Sequence, residues 1–509
     1  MSMIAVENLR FTYEGSDDPV FDGVSFQLDT DWKLGFIGRN GRGKTTLLRL
    51  LQGGWEFGGR ISAPMDFTYF PFEVREPGGN TLEVAKSLAP ELVYWRLCRE
   101  LALLAVDEEA LGRPFFSLSN GERTKVLLAL LFTRPNNFLL IDEPTNHLDM
   151  EARAQVSAYL NQKKGFILVS HDRAFLDGCV DHVLSLNRGS VEVQRGNFST
   201  WWQNRQYQDQ FELAENEKLK REIRRLEEAG RRTAKWSDAV EKTKFGQRDS
   251  GIKPDKGYIG HKAAKMMKRS KAAERRRESK LEEKAGLLKD LERPRELRLK
   301  PLCHHARRLM EAEKLSLYYG EKRVAEDVSF QLERGGRLAL LGRNGSGKSS
   351  LLKWILTEAG LGEPETGPEG AGPGEPLRAS GTLRLASGLI LSWLPQDASF
   401  LSGDLREFAG KRGIDESLFK TILRQLDFSR AQFEKDMGLY SGGQKKKVLL
   451  AASLCEEAHV YLWDEPLNYI DVLSRAQIEN LLLIYQPTMI FVEHDRAFVD
   501  RVATERIEL

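Results

Sequence analysis

The chain has 509 residues, of which 41% are hydrophobic and 29% charged, the composition of an ordinary globular protein with room for two or three domains. No apolar run approaches the roughly 18 to 20 residues of a bilayer span, MSMIAVENLRF has no signal-segment pattern, and Cys98, Cys179, Cys303 and Cys455 form no CxxC pair, so a disulfide framework and a zinc clamp are both disfavoured. A formal net charge of +2 hides an uneven distribution: residues 201–300 hold 29 Lys and Arg against 18 Asp and Glu, which predicts a basic centre facing a polyanion between acidic flanks. The expected location is the cytoplasm.

In chain order, an apolar β-like run (LGFIG) leads into GRNGRGKT and then an amphipathic helix (TTLLRLL). That strand–loop–helix context makes GxxxxGK[ST] a phosphate site. Gly38, Gly41 and Gly43, with Asn40 and Arg42, form a loop whose N–H groups face phosphate. Lys44 is expected to reach the β- and γ-phosphates, Thr45 to ligate Mg²⁺ and Thr46 to contact the nucleotide. LSNGE follows, with Ser119, Gly121 and Glu122 at the N-terminus of a predicted helix, a weak anion site by itself. FLLIDE reads as a buried parallel strand ending in two carboxylates. Asp142 is then a Mg²⁺ ligand at the strand's C-terminal edge, and Glu143 activates the attacking water. A further apolar run, GFILVSH, ends at His171, which is expected to contact the γ-phosphate or that water.

Residues 203–245 and about 260–292 carry helical patterns, separated by KFGQRDSGIKPDKGYIGHK, whose glycines and Pro254 interrupt any continuous helix. The spacer therefore reads as a helical hairpin with an extended tip, an arm of roughly 40 residues projecting about 60 Å at about 1.5 Å per residue. Residues 242–277 hold 13 Lys and Arg but only three acids. A solvated coiled coil is the plain alternative, but KMMKRSKAAERRR lacks the balancing acids of such helices. The candidate RNA contacts are Lys244, Phe245, Arg248, Lys253, Lys256, Tyr258, His261, Lys262, Lys265, Lys268 and Arg269. Cys303-His304-His305 reads as linker, and Trp201 and Trp202 as packing at the hairpin base.

The first set of motifs then returns in the same order. Gly342, Asn344, Gly345, Ser346, Gly347, Lys348, Ser349 and Ser350 repeat the phosphate loop; YSGGQ supplies Ser441, Gly443 and Gln444; Asp464, Glu465 and His494 repeat the acidic pair and histidine. From signature serine to acidic pair the distance is 23 residues in both copies; from loop to serine it is 81 and 99, the excess falling in the Gly- and Pro-rich stretch 361–378, read as a surface insertion. Tyr13 and Tyr319, at matching positions ahead of the loops, are candidates for stacking on adenine. The copies differ where WLPQD has Gln396, a candidate Mg²⁺ ligand, and YFPFE has Phe72, which cannot hold a cation. Asn120 and Leu467 likewise depart from the partner copy, which predicts two unequal sites.

This ordered set resembles the ATP-binding cassette superfamily. The resemblance implies an α/β fold with two P-loop cassettes (1–200 and 306–509) joined by a basic helical-hairpin linker (201–305). It also implies an ATPase using ATP and Mg²⁺, in which the serine loop of one cassette closes over nucleotide held by the other, so that no obligate homodimer and no membrane are required. With its spacer, the whole chain resembles the ABC-F proteins, and SGIKPDKGYIGHKAAKMMKR looks like the Lsa-type resistance branch. That resemblance implies E-site binding on the ribosome, contact with 50S rRNA and P-site tRNA, and a tip near 245–261 that protects the peptidyl-transferase centre from lincosamides, pleuromutilins and streptogramin A, with hydrolysis driving release. A housekeeping translation factor shares the ATPase chemistry and stays open; a transporter subunit is a third reading. The chain's end at IEL is expected to leave no ribosome-anchoring extension.

Overall fold

The computed structural model describes residues 2–15, 19–74, 78–134, 137–146, 148–187, 190–243, 298–362, 376–426 and 428–509. All eleven candidate RNA-contacting residues, the hairpin tip and its returning arm lie outside these, as do residues 363–375 of the Gly- and Pro-rich insertion. Two compact units divide the chain: Met1–Trp201 with Pro294–Leu509, and Trp202–Arg293.

In the first copy the strands are β1 (Met3–Phe11), β2 (Phe21–Asp29), β3 (Lys33–Gly38), β4 (Gly58–Ser62), β5 (Asp66–Phe70), β6 (Asn137–Asp142), β7 (Phe166–Val169), β8 (His182–Leu186) and β9 (Val191–Arg195). Strands β2-β1-β4 form a small antiparallel sheet, and β5-β6-β7-β3-β8-β9 a larger one, parallel except for β9. The sequence explains both. Strand β1 alternates, burying Ile4 and Val6, whereas β6 is an unbroken apolar run because helices cover a parallel sheet on both faces. Ile4, Val6 and Leu28 of the small sheet share a core with Phe36, Phe138 and Ile167 of the large one and with Leu47 and Leu50 of the helix Lys44–Leu51.

The second copy repeats this with β10 (Arg308–Tyr319), β11 (Lys322–Glu333), β12 (Arg337–Leu341), β13 (Leu377–Leu385), β14 (Leu391–Leu394), β15 (Val460–Asp464), β16 (Met489–Val492) and β17 (Glu505–Glu508), ordered β11-β10-β13 and β14-β15-β16-β12-β17. Each copy adds helices that carry the signature, Asn120–Leu131 and Gly442–Cys455. The chain returning from the spacer is pinned to the second copy. Leu299 is buried in its core, Leu302 N–H donates to Ala458 O at 2.8 Å, and both ring nitrogens of His304 are engaged, Nε2 with Ser387 O and Nδ1 with Ala306 N.

In the other unit the described part is helical. The helix Phe198–Thr243 runs 46 residues, about 70 Å at about 1.5 Å per residue, and begins within the first unit, where Phe198 and Trp201 pack ring to ring at 5.7 Å.

Candidate nucleotide sites

Strand order assembles each site. Strand β7 lies between β6 and β3, so the phosphate loop after β3, the carboxylates ending β6 and the histidine after β7 emerge side by side at one sheet edge. Strands β12, β15 and β16 do the same, at the edge where ligands gather in such sheets. Both phosphate loops end in a left-handed glycine capping the following helix, Gly43 at φ +97° and Gly347 at +91°. A Cβ on Gly43 would lie 2.6 Å from Val20 Cγ1, and one on Gly347 2.5 Å from Val324 O, so only glycine fits.

Site one is a cavity of about 720 Å³ that brings together Tyr13, Asn40, Gly41, Gly43, Lys44, Thr45, Thr46, Asp142, Glu143 and His171 from the first copy with Ser441, Gly443 and Gln444 from the second. Site two, about 850 Å³, brings together Tyr319, Asn344, Gly345, Gly347, Lys348, Ser349, Ser350, Gln396, Glu465 and His494 with Ser119, Gly121 and Glu122. Gly38, Gly342 and Ser346 lie behind the cavity walls, accepting from the lysine ammonium groups. Asp464 is buried beneath site two, and Arg42 is not part of the site-one wall.

Lys44 Nζ donates to Gly38 O (2.7 Å), Arg39 O and Asn40 Oδ1; Lys348 Nζ donates to Gly342 O and Arg343 O (2.6 Å). Burial lowers both ammonium pKa values, opposed at Lys44 by Asp471, Glu143 and Asp142, and at Lys348 by Glu465, Asp464 and Asp149. Glu143 and Glu465 both adopt left-handed backbone, φ +49° and +47°, strained for residues with a Cβ and repeated at equivalent positions.

The two sites differ in charge. Desolvation, then the neighbouring Asp142, pushes Glu143 up to about 8. Glu465 is desolvated too, but hydrogen bonding and charge from His494, with a hydrogen bond from Gln396, outweigh this and bring it to about 2. His171 Nε2 is 3.2 Å from Glu143 Oε1, and burial holds the imidazole well below its usual range. Apart from that ring nitrogen, Glu143 Oε1 has no hydrogen-bond partner among the described residues, and Asp464 Oδ1 has none. Desolvation raises Asp464 to about 6, with the Ser349 hydroxyl opposing it. A buried carboxylate oxygen without a partner, beside a hydroxyl and an amide side chain, is a hard-donor set that suits Mg²⁺.

Site one has a different arrangement. Asp142 Oδ2 accepts from Thr45 Oγ1 (2.8 Å) and from the phenol of Tyr69 (2.9 Å), while Phe72 packs near Phe70 and Arg134 and is not part of the cavity wall. Sequence reasoning missed Tyr69, because a tyrosine three residues ahead of the expected glutamine position carries no motif. It also missed Lys125 and Lys447, six residues after each signature serine and lining sites two and one, although their recurrence in both copies was a readable signal.

One expectation needs correction in part. The signature helices are not wholly free at their N-termini: Ser119 and Glu122, and Ser441 and Gln444, close reciprocal capping boxes, in which each serine hydroxyl accepts from the third-position N–H and each third-position side chain reaches back to the serine N–H. The two candidate adenine-stacking tyrosines differ in exposure: Tyr319, 2% exposed, belongs to the core beneath the second copy's small sheet and also lines site two, whereas Tyr13, 44% exposed, lines site one.

Paired P-loop sheets whose lysines face a serine loop from the opposite half define a twin-cassette nucleotide-binding protein. The ABC transporter family model matches residues 21–146 and 325–468. The chain belongs to that family and is an ATP-hydrolysing enzyme. It is similar to the ribosome protection protein VmlR of Bacillus subtilis (28% identical over 503 residues, 97% of this chain and 85% of the relative) and to the energy-dependent translational throttle protein EttA of Haemophilus influenzae (26% over 543 residues, 96% and 89%). These full-length relatives are ABC-F proteins, in agreement with the resemblance drawn from the motifs. Among solved structures it is similar to the complex of archaeal ribosomal stalk protein aP1 and ribosome recycling factor aABCE1, with TM-score 0.61, 19% identity, and coverage of 98% of this chain and 87% of that one, which shows a shared fold.

Proposed function

We propose that this chain is a ribosome-binding ATPase that binds the E site and uses its linker tip to protect the 50S peptidyl-transferase centre from lincosamides, pleuromutilins and streptogramin A, with hydrolysis driving release. The observation that carries the mechanism is the composite wall of each cavity, where Lys44 faces Ser441 and Lys348 faces Ser119 across the two cassettes. Phosphate bound in such a cavity draws both cassettes onto one ligand, so occupancy becomes closure.

In this reading Lys44 and Lys348 leave their loop carbonyls for the β- and γ-phosphates, and loop N–H groups cradle the rest. Glu143 and Glu465, aimed by their left-handed backbone, orient and deprotonate the attacking water, and His171 and His494 hold the γ-phosphate side of that water. Mg²⁺, held by Thr45 and Asp142 or by Ser349, Asp464 and Gln396, would supply charge neutralisation at the β- and γ-oxygens. Tyr13 stacks on adenine. Both sites form within one chain, so no homodimer is needed.

The ribosomal part rests on the basic stretch 242–277 and on the name of the relative VmlR. Among the described residues no helix is long and apolar enough to cross a membrane, and the proposed location is the cytoplasm. The relative EttA favours a second reading, a translation factor without a drug-protecting role. Pull-down of Glu143→Gln/Glu465→Gln with ATP should recover 70S ribosomes; recovery of free protein alone overturns the ribosomal assignment. Rescue of lincomycin-inhibited synthesis in vitro supports protection, and no rescue selects the translation-factor reading.

A further inference from the structure

Within the run Lys445-Lys446-Lys447, which in the sequence looks like a solvated face, Lys446 is 2% exposed. It lies one turn into the helix Gly442–Cys455, whose first turn supplies Ser441, Gly443 and Gln444 to site one. Its side chain points away from that site into its own cassette. Nζ donates to the carbonyls of Pro395 (2.8 Å), Gln396 (3.3 Å) and Asp464 (2.9 Å), one acceptor for each ammonium proton. Those carbonyls sit at or just after the ends of β14 and β15: Gln396 lines site two, Pro395 precedes it, and Asp464 is buried beneath the site.

A buried ammonium is costly, and an apolar side chain would fill the same space without that cost. What the lysine adds is convergence: a point charge on a slender stem meets three carbonyls at once. Burial pulls its pKa down to about 8, against the opposing pull of Asp464 and Glu465. The equivalent residue of the first cassette is Thr124, whose hydroxyl bonds within its own helix to Asn120 O (2.9 Å). The tie is present in one cassette and not at the matching position of the other.

We propose that Lys446 is a positioning residue that couples the two ATP sites through the second cassette alone, so that seating the Ser441 loop on nucleotide in site one sets Gln396 and Asp464 of site two. The inference rests on the site assignments proposed above.

The test is a double-mutant cycle in the full chain carrying Glu143→Gln, so that single-turnover hydrolysis reports site two. Ser441→Ala and Lys446→Thr should each slow that step by about tenfold, and the double variant should be no slower than Lys446→Thr alone, as expected for residues acting as a unit. Effects that multiply to about a hundredfold overturn the coupling. If Lys446→Thr does not fold, Lys446→Arg keeps the charge but not the convergence, and should reduce the Ser441→Ala effect; an undiminished effect overturns the proposal. Hydrogen exchange supplies a readout without chemistry: with ATP bound, Ser441→Ala should raise exchange across 394–398 when Lys446 is present and not when it is threonine, and equal rises in both sink the idea. Failure of the site assignment itself shows earlier, as Glu143→Gln/Glu465→Gln protein that still hydrolyses ATP.

Discussion

Glu143 and Glu465 occupy equivalent strand ends with the same left-handed backbone, yet the residues around them set opposite protonation states. Below about pH 8 the Glu143 carboxyl of the nucleotide-free protein keeps its proton, whereas Glu465 is ionised throughout the neutral range. A general base must be deprotonated, so kcat/KM of Glu465→Gln, which reports site one, should rise with pH through about 8, while that of Glu143→Gln should show no rise there. Parallel profiles count against the assignment. The linkage sign follows: the native state holds a proton on Glu143 between 4.5 and about 8 that the unfolded chain has lost, so this group makes stability fall as pH rises across that window. Tyr69 bears on the same asymmetry. Its phenol takes a lone pair of Asp142 that a cation would otherwise share, so in a Glu465→Gln background Tyr69→Phe should lower the Mg²⁺ concentration for half-maximal binding of fluorescent ATP, by about tenfold if the phenol contributes the lower part of a charged hydrogen bond's range. An unchanged Mg²⁺ dependence makes Tyr69 a packing residue.

At the scale of elements, the segment after each acidic pair is held by a buried arginine. Arg475 donates to Ile470 O and Leu467 O and pairs with Asp495 at 3.0 Å; Arg153 donates to Leu148 O and pairs with Asp172 at 2.9 Å. Removing one partner strands the other in the interior. Arg475→Met should therefore cost about 3–5 kcal/mol, read from urea unfolding, and a loss within about 0.5 kcal/mol, the range of surface substitutions, contradicts the burial argument. The substitution of Leu467 for Thr145 is explained at this scale. In the first cassette the Thr145 and Ser170 hydroxyls meet at 3.1 Å. In the second the position of Ser170 holds Glu493, whose carboxylate accepts directly from Leu467 N–H at 2.7 Å, so the hydroxyl is not needed. The sequence displayed each change separately; their compensation is visible only once β16 brings the two segments together.

Across the whole of the unit that holds both cassettes, one ionic contact is conspicuously one-sided. Glu479, fully buried in the second cassette, receives Arg173 of the first together with Arg501 of its own, while the equivalents of Glu479 and Arg173 are Ser157 and an exposed Arg496. Glu479→Ser should leave two arginines facing each other, so the nucleotide-free protein should show a larger radius of gyration in small-angle scattering, restored by ATP in the hydrolysis-dead form. An unchanged radius means the pair does not hold the cassettes. Duplication, ordered spacing and the alternation between buried and half-buried strands made the two cassettes and their phosphate, acidic and histidine residues legible from the sequence, because those features follow from local backbone chemistry repeated twice. The burial of Lys446 within a basic run, the capture of Asp142 by Tyr69 and the opposite protonation of two identical glutamates were decided only by tertiary structure, since desolvation and charge pairing depend on which distant atoms the fold places within a few ångströms.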